Sequence, residues 1–207
     1  ARSWAKVRLL ELKRSTEIRL GPVEARIFEP QILMLDDVEV VDGTVRYVRE
    51  NRLSAERAFE WRMLELQALW SRTSHPMVLD RLNDLQDLVI RVLHRLLGHH
   101  DPTDLATLEE GVIVISRDMT PSLMMQLDPR TVLGIATDHG TRTAHWAILA
   151  RSLEIPSVVG LGDVTTRAKE GHDAILDGRI GRLVLEPGPE ERESFESRQR
   201  RIDLWEE

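Results

Sequence analysis

The chain changes its grammar near Gly98-His99-His100-Asp101-Pro102, and this change constrains the fold more than any other feature. Before it, apolar residues recur at helical spacing, with Phe59, Met63, Leu66 and Trp70 in one stretch and Leu82, Leu85, Val89, Val92 and Leu96 in another. After it come short β-branched runs separated by Gly, Asp and Pro: Val112-Ile113-Val114-Ile115, Val132-Leu133-Gly134-Ile135-Ala136, Ser157-Val158-Val159 and Leu183-Val184-Leu185. Runs of that kind suit buried strands. Two periodicities in one chain predict a helical bundle over 1–100 and an α/β region over 101–189. The charged tail 190–207 carries only Phe195, Ile202, Leu204 and Trp205 to bury and reads as a linker helix.

Punctuation within each region refines this. Gly21-Pro22 breaks an early helix, and Pro30 kinks or restarts the next because it lacks an N–H and clashes with the preceding turn. Ser54 is placed to cap the helix containing Phe59, and Pro76 suits the opening turn of the one containing Leu85. In the second region, helices are expected over Pro121–Leu127 and Thr143–Leu153, between strands that are partly parallel. Ala174-Ile175-Leu176-Asp177-Gly178 reads as a strand entering a turn.

Composition excludes several functions. With no cysteine among 207 residues there is neither a disulfide scaffold nor a thiolate metal site, and a reducing, cytoplasmic setting is expected. Neither a signal peptide nor a membrane span is visible. The 28 Lys+Arg against 35 Asp+Glu leave a formal charge of −7, which gives no basic footprint for nucleic acid. His99-His100-Asp101 reads as a solvated turn without the further spaced ligands a metal needs, so no metal is expected in this chain.

The chemistry is concentrated between Thr137 and Gly160, which reads strand, loop, helix, strand. Thr141 or Thr143 can cap the helix, so His145 falls in or beside its first turn, where free N–H groups and the helix dipole favour an anion. The same field disfavours imidazolium and keeps His145 nucleophilic, while Arg142 and Arg151 are placed to neutralise phosphate oxygens. Gly140 lets the loop approach phosphate closely. Taken alone, a histidine at a helix start is also compatible with a purely structural role.

Gly140 through Gly160 resembles the phosphohistidine signature of phosphoenolpyruvate-utilising enzymes, Gly-Gly-x-Thr-Ser-His-x-Ala-Ile followed by Ala-Arg-x-Leu-x-Ile-Pro-x-Val-Val-Gly. Thr141 stands where the second Gly is usual, and Ala144 where Ser is usual. Within that superfamily, Asp118-Met119-Thr120-Pro121-Ser122 resembles the Asp-Leu-Thr-Pro-Ser segment of enzyme I of the phosphotransferase system. Ala25–Asp37 is similar to that family's Ile-Phe-Glu-x-His-x-x-Leu-Leu-Glu-Asp segment, with Gln31 replacing the His, and Asp80–Leu88 is similar to its Glu-Arg-Ala-x-Asp-x-x-Asp-Ile segment.

The resemblance implies a swivelling phosphohistidine α/β subdomain joined to a helical-bundle subdomain. His145 would carry the phosphoryl group with the Thr120 hydroxyl against it, and Arg142, Gly140 and Thr143 would serve the phosphate. Gln31, Leu33, Met34, Glu39 and Arg81 match positions on the surface that docks the phosphocarrier HPr and are expected to be exposed. The chain would be a fragment, needing no cofactor of its own. A C-terminal domain binding phosphoenolpyruvate and Mg²⁺ would follow Glu207; the full-length protein is expected to be a homodimer and the fragment a monomer. The alternatives are the phosphohistidine domain of a pyruvate phosphate dikinase or phosphoenolpyruvate synthase, and a non-catalytic regulatory module that binds HPr.

Overall fold

Gly21 ends the first helix by adopting φ 111°, a conformation that side-chain-bearing residues rarely take, and its N–H closes onto the carbonyls of Thr16 and Glu17. From this break the computed structural model can be followed along the chain. It describes residues 1–72, 76–98 and 111–206, and the side chains of 76–84 and 202–206 lie outside the description. The chain divides into two units, Ala1–Thr107 with Thr120–Gln126, and Leu108–Met119 with Leu127–Glu207.

The first unit is helical. Helix α1 (Arg2–Leu20) is followed by α2 (Pro22–Ala25), a 3₁₀ turn (Arg26–Phe28) and α3 (Glu29–Asp36). Pro30 sits in the first turn of α3, where its missing N–H costs nothing, so it restarts the helix instead of kinking it. Next come α4 (Val38–Asn51), α5 (Ala55–Trp70) and α6 (Pro76–Leu96). Asp37 caps α4, its carboxylate accepting the N–H of Glu39 at 2.8 Å. Ser54 occupies the N-cap position of α5 but makes no capping bond; its hydroxyl instead pairs with Glu56 and helps hold that carboxyl below its ordinary range.

Helices α1, α3 and α6 pack around Leu9, Phe28, Leu35, Leu85 and Leu88, all removed from solvent. The inward stripe of α6 therefore runs Leu85, Leu88, Val92, and Val89 is only half-buried. Against α4, the nearly buried Arg62 of α5 donates to the Glu39 carbonyl at 2.8 Å, to the Glu39 carboxylate at 2.6 Å and to Glu65 at 2.6 Å. Gly43 makes room for it, since a Cβ there would lie 2.3 Å from Arg62 Nε.

The second unit is α/β. Strands β1 (Val112–Ser116), β2 (Val132–Thr137) and β3 (Ser157–Val158) form a parallel sheet in the order β1-β2-β3, with Val114 opposite Ile135 and Ala136 opposite Val158. Strands β4 (Ala174–Asp177) and β5 (Arg182–Leu185) make a separate antiparallel pair. Between β1 and β2 the chain forms the short α7 (Pro121–Met124), which belongs to the helical unit. Helix α8 (His145–Ser152) makes the crossover from β2 to β3, α9 (Val164–Arg167) follows, and the tail is α10 (Pro189–Glu206). Ile135, Leu149, Ala150 and Val158 form the core beneath α8.

The sequence-based division at 100/101 thus needs correcting. Thr120–Gln126 leaves the α/β unit and sides with the helices, because Pro121, Ser122, Met124 and Met125 are buried there. Among the described residues, no helix is long and apolar enough to cross a membrane.

Candidate phosphoryl-acceptor site

Strand β2 carries the chain to the carboxyl end of the parallel sheet, the end at which open α/β sheets bind ligands. There Thr137 and Asp138 begin a loop that is held on both sides. The N–H of Asp138 donates to the Ser116 carbonyl at 3.1 Å and that of His139 to Arg117 at 2.9 Å, which prolongs the pairing with β1. From the other side the N–H groups of Leu161 and Gly162 donate to the Thr137 and Asp138 carbonyls at 3.0 and 2.9 Å.

Asp138 fixes the arrangement. Its buried carboxylate accepts the Thr165 N–H at 3.1 Å and the Thr165 hydroxyl. The hydroxyl bond is the main cause that lowers its pKa below the usual carboxylate range; burial opposes this, and the Thr165 and Val164 N–H groups and nearby His139 add to it. Neither Asp138 nor Thr165 stood out in the sequence, because the partners lie 27 residues apart and neither is a motif position.

The loop then turns at Gly140, whose φ of 108° explains the residue type. Thr137 Oγ1 donates to the His139 carbonyl at 2.6 Å beneath it, and the Ala144 N–H closes a turn onto the Thr141 carbonyl at 3.0 Å. Neither Thr141 nor Thr143 caps α8. Their hydroxyls, 3.2 Å apart, bond to each other, and Ala144, with no side-chain acceptor, occupies the N-cap.

His145 is consequently the first residue of α8 and is half-buried. It lies in the first turn, where free N–H groups and the positive end of the helix dipole favour negative charge. Arg142 and Arg151 are both exposed, and no ion pair involving either occurs among the described residues. Both guanidinium-bearing residues line a cleft of about 570 Å³ beside α8, together with Pro156, Asp177, Phe195 and Arg198.

The remaining site residues are distributed elsewhere. Thr120 caps α7 in the helical unit, its hydroxyl accepting the Leu123 N–H at 3.2 Å. Of the docking residues expected to be exposed, Leu33 is 70% exposed and Glu39 is exposed as well. Gln31 and Met34 are not: they face inward with Leu35 at 0% and 8% exposure, because positions 28, 31 and 35 share one face of the turn of chain that packs on α1 and α6. Arg81 lies on α6 in the stretch whose side chains are outside the description, and His99-His100-Asp101 is outside the described residues altogether. Among the described residues, no three His, Asp or Glu side chains come together as a metal site.

Comparison with known proteins agrees with this layout. Residues 1–81 match the family described as PEP-utilising enzyme, N-terminal, and residues 108–181 match PEP-utilising enzyme, mobile domain. A phosphoenolpyruvate-protein phosphotransferase of Geobacillus stearothermophilus is 36% identical over 96% of this chain, and one of Haloferax volcanii is 34% identical over 94%. The chain spans 34% of the length of each, about a third. An NMR solution structure of enzyme I (nEIt) superimposes with a TM-score of 0.74 at 33% identity, covering 98% of this chain and 81% of that one. A structure described as the N-terminal domain of Enzyme 1 - Nitrogen shares the fold, with a TM-score of 0.58 at 21% identity, covering 98% of this chain and 80% of that one. With its helical half, its mobile-domain half and the enzyme I structure all matched, the chain belongs to the enzyme I family and corresponds to its N-terminal region.

Proposed function

We propose that this chain is the phosphoryl-relaying part of a phosphoenolpyruvate-protein phosphotransferase. The observation that carries the reading is the position of His145 as the first residue of α8, immediately after the Gly140 loop, within the Gly140–Gly160 pattern. His145 Nε2 attacks the phosphorus of phosphoenolpyruvate; the N–P bond forms, the P–O bond breaks, and pyruvate leaves as its enolate. A histidine of HPr then attacks the same phosphorus and the N–P bond to His145 breaks.

Such a transfer asks little covalent chemistry of the protein beyond the nucleophile and depends on positioning and charge stabilisation. The N–H groups at the start of α8 stabilise charge on the equatorial oxygens, with Arg142 supplying a cation, Gly140 the close approach of backbone, and Thr143 a hydroxyl. The Thr120 hydroxyl is read as the group that orients the imidazole. Its capping bond uses one lone pair and leaves the O–H to donate. The reading assigns phosphoenolpyruvate and Mg²⁺ to the part of the family that this chain does not span, and the homodimer to the full-length protein. A cytoplasmic location fits the cysteine-free composition.

HPr docks on the helical unit around the exposed Leu33 and Glu39, with Arg81 as a candidate on α6, and the excess of acidic residues favours a carrier with a positive face. Gln31 and Met34 support that surface from inside. The match of residues 1–81 to the family described as PEP-utilising enzyme, N-terminal, together with the likeness of 98% of this chain to an enzyme I structure at 33% identity, supports this reading over the dikinase alternative.

The test is incubation with phosphorylated HPr, followed by intact mass and site mapping. A gain of one phosphoryl group at His145, absent in His145→Ala and absent with phosphoenolpyruvate alone, is expected. Labelling at another residue, or robust labelling by phosphoenolpyruvate alone, overturns the assignment.

A further inference from the structure

The helical unit buries a carboxylate that the mechanism above does not use. Asp87, on α6, is 5% exposed. It accepts Gln31 Nε2 from α3 at 3.2 Å and Ser122 Oγ from α7 at 2.7 Å, with Arg91 Nη2 at 4.0 Å one turn further along α6. Gln31 and Ser122 are as deeply buried, at 0% and 2% exposure. Three separate segments of the chain therefore meet at one buried anion. A buried charge is expensive unless hydrogen-bonded, so this site enforces one relative placement of those segments.

The segments matter for what they carry. Gln31 lies on α3, two residues before the exposed Leu33. Ser122 lies two residues after Thr120, in a seven-residue stretch fastened a second time by Arg19 Nη1 of α1 donating to the Met125 carbonyl at 2.8 Å, and internally by Gln126 Nε2 donating to the Ser122 carbonyl at 3.1 Å. The cap from Thr120 to the Leu123 N–H makes the hydroxyl's direction depend on where this turn is held.

We propose that Asp87 is a positioning residue: through Ser122 it holds the Thr120 turn, and through Gln31 the docking helix α3, so that both keep a fixed placement within the helical unit. The inference deepens the phosphotransferase reading and rests on it for its kinetic consequence. Removing the Ser122 hydroxyl should leave carrier affinity unchanged and blur the placement of the Thr120 hydroxyl, at a cost to the rate of transfer alone. Asp87→Ala is a poor probe, because it strips the buried site of its anion and threatens the fold.

The experiment uses the full chain as Ser122→Ala, Thr120→Ala and the double variant. Rates of phosphoryl transfer from phosphorylated HPr are measured by intact mass, HPr affinity by calorimetry and folding by thermal melting. Ser122→Ala should slow transfer about tenfold, the scale of a modest misplacement of a reacting group, with affinity close to the parent and melting lowered by only a few degrees, since Asp87 loses one donor but keeps Gln31. In the Thr120→Ala background the same change should cost nothing further, which a merely structural role would not produce. Hydrogen exchange supplies an arm independent of the reaction: the Leu123 amide should exchange about tenfold faster in Ser122→Ala, as expected for a locally loosened cap, while α5 amides are unchanged. Equal slowing in both backgrounds, or an unchanged rate, overturns the kinetic role. Unchanged Leu123 exchange overturns the positioning itself. If the parent chain takes no phosphoryl group, the functional reading fails, and the exchange arm still decides whether Asp87 positions the turn.

Discussion

The helical unit and the α/β unit fasten their loops by different means. In the α/β unit the His145 loop is held chiefly by backbone: four main-chain hydrogen bonds tie Thr137, Asp138 and His139 to residues 116–117 and 161–162, and Asp138 adds one carboxylate. Parallel strands end with unpaired N–H and C=O groups, so a loop leaving the sheet can continue the ladder. Away from their ends, helices satisfy their backbones internally and have no comparable ladder to extend. The helical unit accordingly relies on buried polar side chains, Asp87 joining α3, α6 and α7 and Arg62 joining α4 and α5. Two kinds of secondary structure thus impose two kinds of vulnerability on neighbouring parts of one chain.

Substitutions should separate these cases. The largest effect is expected where a charge enters the side-chain-packed unit. Met34→Asp should destabilise the helical unit by about 3 kcal/mol, whereas Leu33→Asp should stay within about 0.5 kcal/mol, as urea unfolding would read. Calorimetry against HPr sharpens the contrast, since Leu33→Asp should weaken binding by about 2 kcal/mol if the residue is an interface centre. Equal stability of the two variants would break the claim that α3 buries one face and presents the other.

Next comes Gly43→Ala, normally favourable in a helix. Here the new methyl meets Arg62 at a distance no Cβ tolerates, and a loss of about 2 kcal/mol is expected on the scale of overpacking. A stabilised variant would show that Arg62 moves aside freely and that its three bonds specify little.

In the backbone-held loop, Gly140→Ala should cost about 1 kcal/mol, because φ of 108° is strained for any side chain, although the nearest atom to a Cβ would be 3.7 Å away. Equilibrium unfolding against the parent checks it. An unchanged midpoint would mean that the loop relaxes to another conformation.

The smallest effect depends on pH. Asp138 has its pKa depressed by folding, so its contribution is complete above the unfolded value of about 4 and is lost as pH falls through the folded value. Asp138→Asn should lower stability at neutral pH and flatten the acid limb of the melting-temperature profile, with no difference from the parent once both are strongly acidic. A difference that persists at the acid end would mean that the substitution costs packing and not charge.

The same division explains what the sequence discloses. Breaks at Gly21-Pro22 and Pro30 and the β-branched runs of the sheet are local chemistry, and they appear where expected. Helix α4 is harder to read, since Val38-Glu39-Val40-Val41-Asp42-Gly43-Thr44-Val45 is mostly weak helix formers; the local Asp37 cap and the distant Arg62 clamp both support it. The His145 loop is legible as a motif, yet its anchor Asp138 finds its partner 27 residues later. Gln31 misleads because a polar residue on an apolar face looks exposed until its buried partner is known, although the 28, 31, 35 spacing carried the signal. The assignment of Thr120–Gln126 to the helices depends on side chains 35 or more positions away and has no local signature.

That excursion also governs how the molecule can be cut. The chain passes between its units at 107/108, at 119/120 and again at 126/127. No single contiguous stretch contains the helical unit, so a truncation at Thr107 would remove the hydroxyl that Asp87 accepts and the carbonyl that Arg19 fills, leaving a buried carboxylate short of one donor and a guanidinium short of one acceptor. Grafting the helices onto another α/β partner likewise means carrying seven residues of the β1–β2 connection with them. The modules of this architecture are therefore units of packing, and they do not coincide with units that recombination could exchange at one joint.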